Sequence, residues 1–395
     1  MSARAEIKAH WPLLIATAWG CGVGVTGLPF YSLSSFVRAF EVEMAWDRGA
    51  ITASLLTLTI GMMIGGPIVG RLVDRFGARR VALLSIPLFS VGLLLPLLAQ
   101  GAAWTLWAAY FFMALIGIGT SPITYTRLLM PRFMAARGLA LGITLAGTGM
   151  AALLMPPFLA AVMGTYGLVG GYVGLALLAL SPWFYVLMVA RDHDAPTGKA
   201  MPERVPSAEP GAINLRHFWT IGLTFFFVSL GLAGVIVHLV PMMLDAGLTA
   251  QRAAFVASAV GVGVVLARVI VGWLIDHFHA PFVAAVVFVV AGGGCLLLGF
   301  GGPGVAIVAA VLIGIAIGAE IDLIAYLVSR YFPPPRYAGI YGWQFGFFAI
   351  GAGLSPLLIQ AFRSPDGHYA LSLSLCAVAS VLAAIALLTL GRYRY

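Results

Sequence analysis

Long apolar runs, each closed by a short polar or charged stretch, repeat along the whole chain. They lie near 11–36, 49–69, 80–99, 103–129, 138–163 and 167–190, and again near 217–243, 251–274, 281–301, 305–331, 338–361 and 368–391. Each has about the 20 residues that a helix needs to cross a hydrocarbon core. Between the two sets lies a polar stretch with Arg191, Asp192, Asp194, Lys199, Glu203, Arg204, Glu209 and several prolines. The pattern predicts an all-α membrane protein of twelve transmembrane helices. An N-terminal six-helix bundle would cover 1–190, a linker 191–215 and a C-terminal six-helix bundle 216–395.

Composition agrees with this pattern. The 395 residues are 61% hydrophobic and 9% charged, where a soluble domain carries about 25% charged residues. The 48 glycines favour close approach between helices. Cys21, Cys295 and Cys376 lie singly in apolar runs, so no disulfide, metal or cofactor is expected. The first apolar run is too long for the core of a cleavable leader, and the chain is expected to act as a monomer.

The net charge of +8 does not point to nucleic acid, because the bases fall in alternate loops. With the N-terminus inside, Arg38, Arg48, Arg252 and Arg363 are the only bases outside, Arg268 lies within a span, and all the others fall inside. That asymmetry is the positive-inside pattern, so both termini and the linker are expected in the cytoplasm. Trp11, Trp104, Trp107, Trp183 and Trp219 near segment ends are expected as interfacial anchors.

One charged loop returns at about half the chain length. Gly70-Arg71-Leu72-Val73-Asp74-Arg75-Phe76-Gly77-Ala78-Arg79-Arg80 has a weaker copy in Gly272-Trp273-Leu274-Ile275-Asp276-His277-Phe278-His279. Such a repeat suggests two related helix bundles, the architecture of secondary transporters. The first copy resembles the helix 2–3 loop signature of the major facilitator superfamily, and with the six-plus-six layout the resemblance covers nearly the whole chain. It implies a gating role for Gly70, Asp74, Arg75, Gly77, Arg79 and Arg80, and for Gly272 and Asp276 in the second copy. An acid–base cluster of this kind is a bistable latch suited to alternating access; on the plainer reading its bases only set topology.

Three charges cannot reach a loop: Arg268 in the eighth run, and Glu320 and Asp322 in the tenth. Each costs roughly 2.5–3.5 kcal/mol at a helix centre unless it is paired, protonated or facing water. Two readings follow. Arg268 and one acid form a structural ion pair, or Arg268 holds an anionic substrate in a central aqueous cavity while a surplus acid carries a proton. Residues two apart on a helix point about 200° apart, so Glu320 and Asp322 cannot both face one cavity. Asp322 shares a stripe with Gly318, Tyr326 and Ser329, which makes its face the expected cavity lining.

Weaker candidates for substrate contact are Thr124 and Tyr125 in the fourth run, beside Pro122, and Tyr326, His238 and Gln344 in the second half. Arg127 is close enough to the inner surface to snorkel. A lone His on an apolar face and a buried Tyr are each equally expected as satisfied core residues.

Arg268 with Gly272 and Asp276 also resembles the monocarboxylate and oxalate–formate branch of the superfamily. So do Ala45-Trp46-Asp47-Arg48-Gly49-Ala50-Ile51, Arg137-Gly138-Leu139-Ala140-Leu141-Gly142 and Asp366-Gly367-His368-Tyr369. That resemblance implies an Arg that binds the substrate carboxylate. Animal members of the branch carry an Asp one turn before it, where this chain has Val264, so a cooperating carboxyl group must come from Glu320 or Asp322. The expectation is a secondary transporter of a bacterial inner membrane that moves a small organic anion, a monocarboxylate, with a proton, and is not an enzyme. The alternative is a proton-coupled exporter of cationic or amphiphilic drugs. Gly142, Gly147 and Gly149 resemble exporter patterns, but Met155-Pro156-Pro157 lacks their Gly-Pro order.

Overall fold

A computed structural model describes residues 3–129, 132–133, 137–189, 214–333, 337–364 and 366–393. The expected linker lies almost wholly outside the described residues. All regular structure among them is helical. Ten helices are long and apolar enough to cross a membrane, and residues 140–188 count among these as a single 49-residue span. The chain divides into two compact units, Met1–Lys199 and Ala200–Tyr395.

In the first unit the opening apolar run is not one helix. It is split into α1 (Ala3–Gly22) and α2 (Leu28–Met44), with turns between. After α3 (Arg48–Thr52) and α4 (Ser54–Phe76) comes α5 (Ala78–Gly92). The fourth run is split as well. α6 (Trp104–Gly117) passes through a 3-10 turn, Ile118–Thr120, into α7 (Pro122–Leu129). The fifth and sixth runs join in α8 (Arg137–Val189), 53 residues long. A straight helix of that length would reach about 80 Å, against a hydrocarbon core of about 30 Å. It is interrupted at Gly167, whose φ of 64° and ψ of −161° suit a residue without a Cβ.

Residues 45–51 build a tight corner in this unit. Ala45 ends α2 in the left-handed region, at φ 54°. Asp47 caps α3 by accepting from Gly49 N at 2.7 Å. Trp46 Nε1 donates to Gly101 O at 2.8 Å. Arg48 meets Glu41 with two bonds, Nε to Oε1 at 2.6 Å and Nη2 to Oε2 at 3.1 Å. Two expected interfacial tryptophans also hold main chain: Trp107 Nε1 donates to Ala50 O at 2.7 Å and Trp183 Nε1 to Leu83 O at 3.0 Å.

The second unit is more regular: α9 (Leu215–Asp245), α10 (Ala250–His277), α11 (Ala280–Phe300), α12 (Ala306–Tyr331), α13 (Tyr337–Ala361) and α14 (Ala370–Leu388). Two seams organise it. Between α9 and α13, Ser355 Oγ donates to Leu230 O at 2.5 Å and accepts from Gly234 N at 2.6 Å. Between α10 and α12, small residues bring the backbones together. A Cβ on Gly314 would fall 3.1 Å from Val260 Cα, and one on Gly318 2.7 Å from Val264 Cα. The rungs 260/314 and 264/318 advance together, so the two helices run in the same direction. The first unit repeats the device between α4 and α6, where Thr57 bonds to Trp107 O at 2.8 Å and Gly61 abuts Phe111 O.

Gly314→Val is expected to force α10 and α12 apart, because the obstructing atoms are main chain and cannot swing away. Overpacking of this kind costs about 1–3 kcal/mol or more. The measurement is the thermal unfolding midpoint in detergent, which should fall by several degrees; an unchanged midpoint would refute the seam.

Candidate functional site

The seam between α10 and α12 sets the position of the intramembrane charges. Four residues beyond the 264/318 rung, the next rung is Arg268 opposite Asp322. Arg268 Nη1 donates to both carboxylate oxygens, at 2.7 and 2.8 Å. Its Nε is buried with no hydrogen-bond partner among the described residues. The pair is not sealed: the Arg268 side chain is 9% exposed and that of Asp322 34%. The aspartate thus holds one nitrogen of the guanidinium, and the rest of the planar fork is left for another acceptor.

Glu320 sits on the opposite face of α12, as a two-residue separation requires. It is 3% exposed, on the stripe that carries Ala316, Leu323, Ile324 and Leu327. Its Oε1 has no hydrogen-bond partner among the described residues. An ionised carboxylate in such a place carries a desolvation cost of several kcal/mol, which a bound proton removes.

The other candidates of this unit are placed elsewhere. The Tyr326 hydroxyl accepts from Arg330 Nε at 3.4 Å and Nη2 at 3.3 Å. The Arg330 guanidinium lies 5.4 Å from the Tyr326 ring and 5.1 Å from that of Tyr393, in a cluster at the end of α12. Gln344 is fully buried, and its Nε2 donates to Phe218 O at 3.1 Å. His238 is fully buried too, with Nε2 3.1 Å from Pro356 O. Both belong to the α9–α13 seam and are bonded there to main-chain carbonyls.

A second polar cluster lies in the first unit, where its two broken helices touch. The Val25 N–H donates to Thr120 Oγ1 at 3.0 Å, and that hydroxyl donates to Gly117 O at 2.7 Å. Gly24 abuts the Thr120 carbonyl, and Gly20 abuts the Tyr125 ring. Thr124 and Tyr125 are fully buried and Ser121 nearly so. The hydroxyls of Thr26, Ser121, Thr124 and Tyr125 have no hydrogen-bond partner among the described residues. Two new helix N-termini, those of α2 and α7, begin beside them. Thr26 and Ser121 were not singled out from the sequence. The available signal was the Gly22-x-Gly24-x-x-Gly27 spacing and the Ser121-Pro122 step, which together mark two chain breaks.

The repeated loop differs between its copies. In the first, Gly77 ends α4 at φ 84° and its N–H reaches Val73 O at 2.9 Å. Arg75 lies over Phe76 at 5.3 Å, Arg80 is exposed, and Arg79 Nη2 donates to Leu187 O at 3.3 Å, tying α5 to the end of α8. Gly70 and Gly272 both face open space. The side chains of Asp74 and Asp276 lie outside the described residues. In the second copy, His277 stacks on Trp273 at 4.5 Å. The Tyr393 hydroxyl accepts from Ala280 N at 2.6 Å, and its ring lies 4.5 Å from that of His279. The C-terminal tail therefore packs against the end of the second copy. Burial holds the Tyr393 hydroxyl above its ordinary range.

Comparison with known proteins adds to this geometry. The sequence profile described as Major Facilitator Superfamily matches residues 19–356. Over 126 residues the chain is 33% identical to the uncharacterised MFS-type transporter YfiU of Bacillus subtilis (strain 168), covering 32% of this chain and 23% of that one. Over 188 residues it is 27% identical to the benzoate transport protein of Acinetobacter baylyi, covering 46% and 39%. These matches span well under half the length of either curated relative. In three dimensions the chain matches the crystal structure of a bacterial homologue of the human lysosomal transporter Spinster, in an inward-facing and occupied conformation. The TM-score is 0.68 at 16% identity, over 97% of this chain and 96% of that one. At that identity the likeness shows the fold.

Proposed function

Because the chain belongs to the Major Facilitator Superfamily, and is therefore a multi-pass membrane transporter and not an enzyme, we propose that it carries a small organic monocarboxylate of the benzoate class together with a proton. The reading places it in the inner membrane of a bacterium, with twelve crossings, both termini cytoplasmic and the repeated loops as cytoplasmic latches. The observation that carries it is the Arg268–Asp322 pair, in which one guanidinium nitrogen holds the carboxylate and the buried Nε is left over. The similarity to a benzoate transport protein supports the substrate class.

The chemistry is an exchange of partners. In the empty carrier Asp322 neutralises Arg268. A proton taken up by Asp322 releases the guanidinium, and the substrate carboxylate takes its place through charge-assisted bonds. The site has the same net charge in both states, so neither form carries an uncompensated charge through the bilayer. Glu320 serves in the packed face of α12.

Purified protein in proteoliposomes should accumulate radiolabelled benzoate when the outside is made acidic, and an imposed membrane potential alone should drive little uptake. One anion and one proton move no net charge, so the pH gradient is the driving force. Uptake indifferent to the pH gradient would refute the coupling.

A further inference from the structure

A cleft of about 720 Å³ opens on the second unit between α9 and α14. It exists because α14 contributes small side chains, Ala383 and Ala386, opposite the large Trp219, Leu223 and Phe227 of α9. Those three large residues are each between 42% and 50% exposed, so the wall they form faces outward, toward the lipid phase. From Arg216 to Phe227 the cleft follows α9 for about 16 Å at helical rise. That is about half the thickness of a hydrocarbon core, the depth of one leaflet.

The mouth of the cleft is polar in a graded way. Arg216 is exposed there, and its Nη2 reaches across to Thr389 O at 3.4 Å. Trp219 lies within the next turn, where an indole sits at a membrane interface. Thr220 is one turn deeper than Arg216, about 6 Å along the helix. No acid offsets the guanidinium from either wall: α14 contains none, and the only one on α9, Asp245, is at its opposite end. An apolar trough one leaflet deep, with a hydroxyl below a cation at its rim, matches an acyl chain, an ester and a phosphate in that order.

We propose that this cleft is a binding site for an anionic phospholipid, with one acyl chain lying between α9 and α14 and the phosphate on Arg216. The inference does not depend on the identity of the transported solute. The charge accounts for headgroup selectivity, and the alanine floor accounts for retention of the chain.

The test uses the full-length protein reconstituted in equal parts of phosphatidylglycerol and phosphatidylcholine, re-extracted in mild detergent, with the co-purified lipid counted by mass spectrometry. The wild type should retain phosphatidylglycerol over phosphatidylcholine by roughly fivefold, the factor one basic residue supplies at an anionic surface. Arg216→Gln should lower that ratio toward one and leave the total retained lipid unchanged. Ala386→Leu, which fills the floor, should lower retention of both lipids. Arg216→Gln alters only an exposed side chain, so it reads the charge even if the larger residue disturbs α14. Equal ratios in all three proteins would overturn the proposal, because the lipid would then be unselective boundary lipid. Displacement of the retained lipid by excess benzoate would overturn it too, because the cleft would then hold the solute.

Discussion

Asp322→Asn should abolish net benzoate accumulation while leaving benzoate–benzoate exchange intact. Asparagine is close in shape to a protonated aspartate, so the variant is fixed in the state that releases Arg268. Substrate then binds without a proton, and the loaded carrier remains neutral at the site. The empty carrier is different. It must reorient with Arg268 (9% exposed) deprived of the carboxylate that neutralises it. Removing one partner of a buried ion pair costs about 3–5 kcal/mol, which slows the empty return by about 10²–10⁴-fold if it falls on that step. Exchange avoids the empty return and should persist, now independent of pH between the two compartments. Glu320→Gln provides the contrast. Glu320 bonds to neither Arg268 nor a solvent-facing partner among the described residues, so the amide should preserve pH-driven accumulation. If Glu320→Gln uncouples transport and Asp322→Asn does not, the two acids exchange roles and the partner-exchange scheme fails.

The sequence made the membrane-spanning pattern readable because an apolar run of helical length needs no tertiary context to declare itself. The boundaries of α9 to α14 depart from the apolar runs by only a few residues. The breaks in the first unit were not readable in this way. Residues 22–27 are glycine and valine apart from Thr26, and hydropathy does not separate a glycine inside a helix from one that ends it. What ends α1 is a contact 95 residues away, where Thr120 accepts the Val25 N–H.

The three intramembrane charges were likewise visible as charges, while their pairing was not. It is set by register: Val260, Val264 and Arg268 step by four, as do Gly314, Gly318 and Asp322, and the glycines align the two series. Once α10 and α12 are known to be neighbours, the pair follows. His238 and Gln344 mark the converse limit. A buried polar residue looks the same in sequence whether it waits for a ligand or bonds a carbonyl, and both of these bond carbonyls in the α9–α13 seam.

Arg268→Lys should reduce benzoate uptake by about 10–100-fold and leave the protein folded. Lysine keeps the positive charge, so Asp322 retains a cation and the 268/322 rung survives. The planar fork is lost. In the wild type, Asp322 engages Nη1 while Nε remains unpartnered, so the guanidinium offers donors at fixed angles to a second carboxylate. An ammonium is a point charge whose donors have no such geometry. Losing one charge-assisted hydrogen bond to the substrate costs about 1.5–3 kcal/mol, which corresponds to the stated fall in uptake. Two measurements separate this from a structural effect. The thermal midpoint without ligand should stay near that of the wild type, since the ion pair persists, while the upward shift on adding benzoate should shrink or vanish. A lysine variant with a lowered ligand-free midpoint and an unchanged benzoate shift would mean that Arg268 is only a lock between α10 and α12, with the carboxylate bound elsewhere.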